Sequence, residues 1–283
     1  MSSENFDSLL PADMARRAEL LGVRKAEAPF GRFFSLSILA GAFISLGAMF
    51  ATNMATGGAA LPYGVNRLLV GFVFCLGLIL VIIGGAELFT GNNLIVMAWA
   101  NKKIKTSALL RSWLISYVGN FVGALGTVAL VYLSGQYNFG GDVKVGFTAL
   151  SMAASKSALN PINAFFLGLL CNALVCLAVW MSYSARTTID KMATVLFPIT
   201  GFVAMGFEHS IANMYFIPIG LAIKNYDPAF TAKFIEATSA NLDKLTVANF
   251  FLNNLIPVTL GNIVGGAVFV AGIYWMIFLK DSN

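Results

Sequence analysis

Six stretches of this chain are apolar for long enough to cross a bilayer, and little else about the sequence constrains the fold as tightly. A hydrocarbon core about 30 Å thick is spanned by about 20 residues of helix. Inside it every backbone N–H and C=O must find a partner within the protein. The stretches are residues 33–55, 68–100, 108–133, 162–184, 192–223 and 247–279. Only 11% of the residues are charged and 58% are hydrophobic, whereas a soluble domain is about a quarter charged. The expectation is an all-α membrane protein of six transmembrane helices.

Basic residues set the orientation. Arg16, Arg17, Arg24, Lys25 and Arg32 precede the first span. Lys102, Lys103, Lys105 and Arg111 lie between spans 2 and 3, Arg186 and Lys191 between spans 4 and 5, and Lys280 in the tail. The opposite side has Arg67, Lys144, Lys156, Lys224, Lys233 and Lys244. The positive-inside rule then puts both termini in the cytoplasm. The net charge of +5 is a topology signal, and no basic face suited to nucleic acid is present. No apolar run precedes the first span, so no cleaved signal peptide is expected. Residues 1–32 read as a cytoplasmic segment, separate from the six-span membrane domain 33–283. They also carry the acids Glu4, Asp7, Asp13, Glu19 and Glu27. Pro11 suits a first helical position, Asp13 the positive helix end, and Met14, Ala18 and Leu21 share a face. A short amphipathic helix at the cytoplasmic surface is expected, the alternative being a disordered tail. Cys75, Cys171 and Cys176 all fall in apolar runs, which gives neither a disulfide framework nor a metal site.

The two halves of the chain repeat one another. Pro29-x-x-x-Phe33-Phe34 recurs as Pro161-x-x-x-Phe165-Phe166, and Gly85-x-Glu87-x-x-x-x-Asn92 as Gly206-x-Glu208-x-x-x-x-Asn213. Gly119-Asn120-x-Val122-Gly123 recurs as Gly261-Asn262-x-Val264-Gly265. Each half has three spans, an odd number, so the second half must be upside down relative to the first. Such inverted repeats are typical of transporters and channels, with the conducting site near the midplane. The paired glycines read as close helix contacts. Asn120 and Asn262 each need a polar partner, in protein or along a wet path.

Spans 2 and 5 are expected to be interrupted. Gly84-Gly85-Ala86-Glu87-Leu88-Phe89-Thr90-Gly91-Asn92 and Gly206-Phe207-Glu208-His209-Ser210-Ile211-Ala212-Asn213 each put an acid near the membrane centre. A charge there costs about 2.5–3.5 kcal/mol on insertion scales. A broken helix with the carboxylate capping free N–H groups avoids much of that cost. Glu87 and Glu208 read as structural, with Asn92 and Asn213 beside them; a proton relay or a selectivity role remains open. Carboxylates in an anion path would repel its cargo, so they should be tucked away. His209 is the only histidine. Its charge can change near neutral pH, and it can give a hydrogen bond or a proton to a weak-acid anion. Thr90 offers a hydroxyl in the equivalent break. Apolar residues surround both.

The segments Gly85-Ala86-Glu87-Leu88-Phe89-Thr90-Gly91, Gly206-Phe207-Glu208-His209-Ser210-Ile211-Ala212-Asn213, Asn254-Leu255-Ile256-Pro257-Val258-Thr259-Leu260-Gly261-Asn262 and Trp180-Met181-Ser182-Tyr183-Ser184 closely resemble signatures of the formate/nitrite transporter family, its formate branch most of all. The resemblance runs from about Pro11 to the C-terminus. It implies an aquaporin-like inverted 3+3 repeat, a homopentamer in the bacterial inner membrane, and a substrate path in each protomer. By position, Thr90, His209 and Asn262 match the central polar site. Leu78, Leu88 and Phe89 match the cytoplasmic constriction, and Phe74, Val175 and Phe202 the periplasmic one. Lys156 and Asn172 match residues that attract anions. Glu87 stands where some relatives are expected to have Asp.

The expected function is a channel for formate with pH-dependent behaviour centred on His209. A pocket of Thr, His and Asn does not name its anion, so nitrite or hydrosulfide is the alternative. Paired Asn-Pro-Ala boxes, the mark of an aquaporin, are absent from the sequence, as are the paired pore histidines of an ammonium channel. No nucleophile–base pair or metal constellation that would make an enzyme is readable, and no cofactor is expected.

Overall fold

The fold is that of a computed structural model, which describes residues 7–142 and 144–280; Glu4 and the rest of residues 1–6 lie outside the described residues. The described regular structure is helical throughout. The helices are α1 (Pro11–Ala26), α2 (Phe30–Ala55), α3 (Tyr63–Gly84), α4 (Val96–Ala100), α5 (Thr106–Leu133), α6 (Val145–Ser157), α7 (Pro161–Ser184), α8 (Thr188–Ala204), α9 (Ser210–Tyr226), α10 (Pro228–Thr238) and α11 (Val247–Phe278). Among the described residues, α2, α3, α5, α7 and α11 are each long and apolar enough to cross a membrane. The short helices α6 and α10 have no counterpart in the hydropathy reading.

Close backbone contact organises the packing. A methyl group at Gly123 would run into the Ile38 carbonyl of α2, and one at Gly265 into the Leu169 carbonyl of α7. Larger residues at either position would force the helices apart. Helix α11 contains two π segments, Phe250–Leu255 and Val264–Gly272. The first ends just before Pro257, whose ring excludes the ordinary i→i−4 bond.

Helix α1 carries Pro11 in its first turn, Asp13 near its N-terminus, and Arg24 and Lys25 in its last turn, as the helix dipole favours. The short helix expected from the sequence is present, and it packs against α4, the 3-10 turn before it and α7. Its buried face is Met14, Ala15, Ala18, Gly22 and Ala26. These side chains are mostly small, so the helix lies close: a Cβ at Gly22 would sit 3.0 Å from that of Ala98. Arg17 also donates to the Tyr183 carbonyl at 3.1 Å.

Two of the helix ends correspond closely. Helix α3 ends on Gly85 at φ +70°, and Ala86 N–H reaches back to the Val81 carbonyl. Helix α8 ends just before Gly206 at φ +78°, and Phe207 N–H reaches back to the Phe202 carbonyl. Both are glycine-terminated helix ends in which a left-handed residue lets the next N–H cap an exposed carbonyl. Beyond each glycine, Glu87 N–H pairs with the Leu36 carbonyl and Glu208 N–H with that of Leu167.

These bonds fix the register of the repeat. Leu36 is equivalent to Leu167, so the sequence match of Pro29 with Pro161 is one residue out. Pro29 is the N-cap of α2, whereas Asn160 is the N-cap of α7 and Pro161 its first residue. Proline fits both positions for different reasons, so the two prolines fall close together in the sequence repeat without being equivalent. In the corrected register Lys25 and Lys156 each stand four residues before an N-cap, so α1 and α6 are equivalents as well.

Candidate functional site

The two non-helical segments are held by one asparagine each. Asn120 of α5 accepts from Phe89 N–H at 2.9 Å and donates to the carbonyls of Ser37 and Glu87 at 2.7 and 3.0 Å. Asn262 of α11 accepts from Ser210 N–H at 2.9 Å and donates to those of Gly168 and Glu208 at 2.7 and 3.1 Å. An amide is the smallest side chain that both accepts and donates twice. Asn262 therefore acts here as a clamp. Asn172 is similarly committed: its amide N–H groups face the carbonyls of Thr90 and Asn262 and the Asn93 Oδ1 at 3.3, 2.7 and 3.2 Å.

Each buried acid meets a lysine from outside the spans. Lys25 Nζ lies 2.9 Å from Glu87 Oε2 and donates to Asn92 Oδ1 at 2.9 Å. Lys156 Nζ lies 2.7 Å from Glu208 Oε1. Glu208 Oε2 accepts from Asn213 and Asn254 at 2.6 and 3.2 Å. The expectation that these carboxylates cap backbone N–H groups fails: Lys25 faces Glu87, and Lys156 with the amides of Asn213 and Asn254 takes up Glu208. The capping is done by His209 instead, whose Nδ1 accepts from Ala212 N–H at 3.1 Å at the start of α9. An imidazole is an uncommon N-cap, so nothing in the sequence signalled it.

His209 Nε2 lies 2.9 Å from Thr90 Oγ1, joining the two segments. With Nδ1 accepting from the backbone, the ring is neutral and its proton sits on Nε2, which donates to the threonine oxygen. Thr90 keeps its own hydroxyl proton to give elsewhere. His209 is 3% exposed and Thr90 fully buried.

Three cavities lie along this junction. The first, about 200 Å³, is lined by Lys25, Glu87, Leu78, Leu88 and Asn92, with Tyr183 at its edge. The second is a gap of about 10 Å³ among Phe74, Leu78, Leu88, Val175, Phe202 and His209. The third, about 210 Å³, is lined by Phe74, Phe202, His209, Lys156, Glu208 and Arg67, with Asn213 nearby. Leu78 and Leu88 are shared by the first pair; Phe74, Phe202 and His209 by the second. Phe74 meets Phe202 edge-on at 5.7 Å, and Phe202 stacks on His209 at 5.9 Å.

Of the residues expected along the path, Thr90, Asn172 and Asn262 line none of the three cavities, and neither does Phe89. Its ring packs edge-on to Tyr117 and Trp113 at 4.9 and 6.2 Å. The Asn120 bond to its N–H turns the residue towards α5. Sequence reasoning also missed Arg67, counted only as a loop charge, and the pairing of Lys25 with Glu87. Extending the repeat upstream of the first span would have found the second of these.

Comparison with known proteins agrees with this geometry. Residues 12–276 match the family described as formate/nitrite transporter. The chain is 45% identical to the formate channel FocA of Escherichia coli K12, over 100% of this chain and 99% of that one. It is 41% identical to the formate channel FocA of Haemophilus influenzae, over 95% of each. Among solved structures it resembles a pentameric formate channel with formate bound, with a TM-score of 0.81 and 44% identity over 89% of this chain and 98% of that one. An FNT family ion channel matches with a TM-score of 0.78 and 29% identity, over 94% and 98%. The chain is therefore a multi-pass membrane protein that belongs to the formate/nitrite transporter family.

Proposed function

We propose that the chain is one protomer of a homopentameric inner-membrane channel that passes formate through its own interior. The observation that carries this reading is the line of three cavities sharing their walls, with His209, bonded to Thr90 behind it, as the polar side chain lining the narrowest gap. In this reading α3 and the turn into α4 form one interrupted span, and α8 with α9 another. The count then becomes six, with the second half inverted and both termini cytoplasmic. The pentamer and the cargo are carried over from relatives whose names state them.

An anion entering the gap loses its water, and two hydrogen-bond donors can replace it. Thr90 offers its hydroxyl proton, and His209 Nε2–H can turn from Thr90 to the anion. Leu78 and Leu88 on one side and Phe74 and Phe202 on the other exclude bulk water, which strengthens both bonds. Lys25 and Lys156 neutralise Glu87 and Glu208, so neither acid repels the cargo. Transfer of a proton to the anion requires the ring to carry two, and the second must go to Nδ1. That breaks the cap on Ala212 N–H, so proton hand-off is coupled to loosening the first turn of α9.

The test is flux of formate, acetate, nitrite and hydrosulfide into proteoliposomes across pH, with native mass spectrometry of the detergent complex. Formate flux from a pentamer is expected. His209→Asn keeps a good N-cap but removes the titration, and its formate flux should lose pH dependence. An unaltered pH–flux curve in a correctly assembled His209→Asn channel would end the histidine reading.

A further inference from the structure

The cavity beside His209 holds two cations, and they differ in what they face. Lys156 is spent on Glu208 at 2.7 Å. Its ammonium also lies over the Phe216 ring at 5.4 Å. The pair is close to neutral, so Lys156 adds little field at the mouth. Arg67, one turn into α3, has no carboxylate within ion-pair distance among the described residues. It is half-buried and lines the same cavity.

The fold places Arg67 there. Gly71, one turn further along α3, lies against the backbone of Thr200 on α8, which brings the two helices into close contact. One turn towards the N-terminus of α3, Arg67 therefore reaches the C-terminal end of α8. Its Nε donates to the Ala204 carbonyl at 3.1 Å, and its Nη2 to that of Val203. These carbonyls lie where the helix stops, at the negative end of its dipole; the Val203 carbonyl also accepts from Gly206 N–H at 3.1 Å. A guanidinium has five N–H donors, so three remain after these two bonds.

We propose that Arg67 is the recruiting residue for the small anion: its unpaired charge draws the anion into this cavity while its two bonded N–H groups fix the end of α8 in front of His209. This rests on the anion-channel reading and adds to it a residue and a division of labour. Lys156 holds the buried acid neutral, and Arg67 supplies the net positive charge.

The charge and the cap separate by substitution. Arg67→Gln keeps one donor and loses the charge; Arg67→Lys keeps the charge and loses the planar fork. Initial formate flux is measured in proteoliposomes from about 10 to about 300 mM ionic strength, a range over which screening removes the field of an exposed charge. Nitrite and chloride are run in parallel, and assembly is checked by gel filtration. Arg67→Gln should pass formate roughly fivefold more slowly than wild type at low salt and converge on it at high salt. Arg67→Lys should stay within about twofold throughout, retaining the wild-type salt slope. Two results overturn the proposal: a wild-type salt slope in Arg67→Gln, or an equal, salt-independent loss in both variants, which would make Arg67 a cap only. If wild type passes none of the three anions, the channel reading falls and this one with it. If wild type passes them and Arg67→Gln matches it, only the role of Arg67 falls.

Discussion

Replacing Asn120 by alanine tests the clamp at the first non-helical segment. The side chain is fully buried, and its three bonds go to Phe89 N–H and to the carbonyls of Ser37 and Glu87. The Ser37 carbonyl lies inside α2, where the helix offers it a second partner, so its loss is cheap. Phe89 N–H and the Glu87 carbonyl lie outside any helix and depend on Asn120. An orphaned buried group costs about 1–3 kcal/mol, so Asn120→Ala should destabilise the protein by about 2–6 kcal/mol. At about 2–4 °C per kcal/mol for a chain of this size, the midpoint should fall on the order of 10 °C. Cys75, Cys171 and Cys176 are free and buried, so a thiol-reactive dye reports opening during a thermal ramp without any engineered probe. The repeat supplies its own replicate, because Asn262→Ala orphans Ser210 N–H and the Glu208 carbonyl in the same way. A midpoint within about 2 °C of wild type in both variants, equivalent to about 0.5–1 kcal/mol, would refute the clamp.

Three further outcomes are expected. Glu87→Gln removes the partner of Lys25 at 2.9 Å, so residues 11–26 should exchange amide hydrogens faster while the core of α5 does not change; equal protection of α1 would show that the ion pair does not hold it. Phe202→Ala removes a ring from the wall shared by two cavities, so acetate flux should rise relative to formate by several-fold; an unchanged ratio would place the size filter elsewhere. Gly123→Val sets a branched side chain against the Ile38 carbonyl and should abolish assembly; a full yield of oligomer would mean that α2 and α5 can separate at little cost.

Much of this site was legible because it uses residues that stand out in an apolar background. Two Gly-x-Glu motifs marked the helix ends at Gly85 and Gly206, since glycine is the residue that takes the left-handed position without strain. A lone histidine and two buried asparagines were equally conspicuous. What escaped were relations between distant residues. That Asn262 and Asn172 spend their amides on backbone carbonyls depends on which carbonyl lies across from them. That Phe89 turns to α5 follows from one hydrogen bond to Asn120. Helices α6 and α10 were missed because neither is long enough to register as a span. The packing partners of α1 were not foreseen because its small buried residues, Ala15, Ala18 and Gly22, do not look like a docking face.

The matched breaks bear on the direction of flow. With the second half inverted as proposed, an anion approaching from either side meets the same sequence of elements. It passes a short helix bearing a lysine paired to a buried glutamate, then an apolar pair of side chains, then the Thr90–His209 junction. A passive path is reversible whatever its shape, so net movement follows whichever gradient the cell maintains. The two halves differ at the centre, where Leu88 stands in the place of His209 and Ile211 in that of Thr90, and again at the rims, with the basic last turn of α1 on one side and Arg67 at the end of α8 on the other. A gate at the rims can change in sequence without disturbing the paired hydrogen bonds of Asn120 and Asn262.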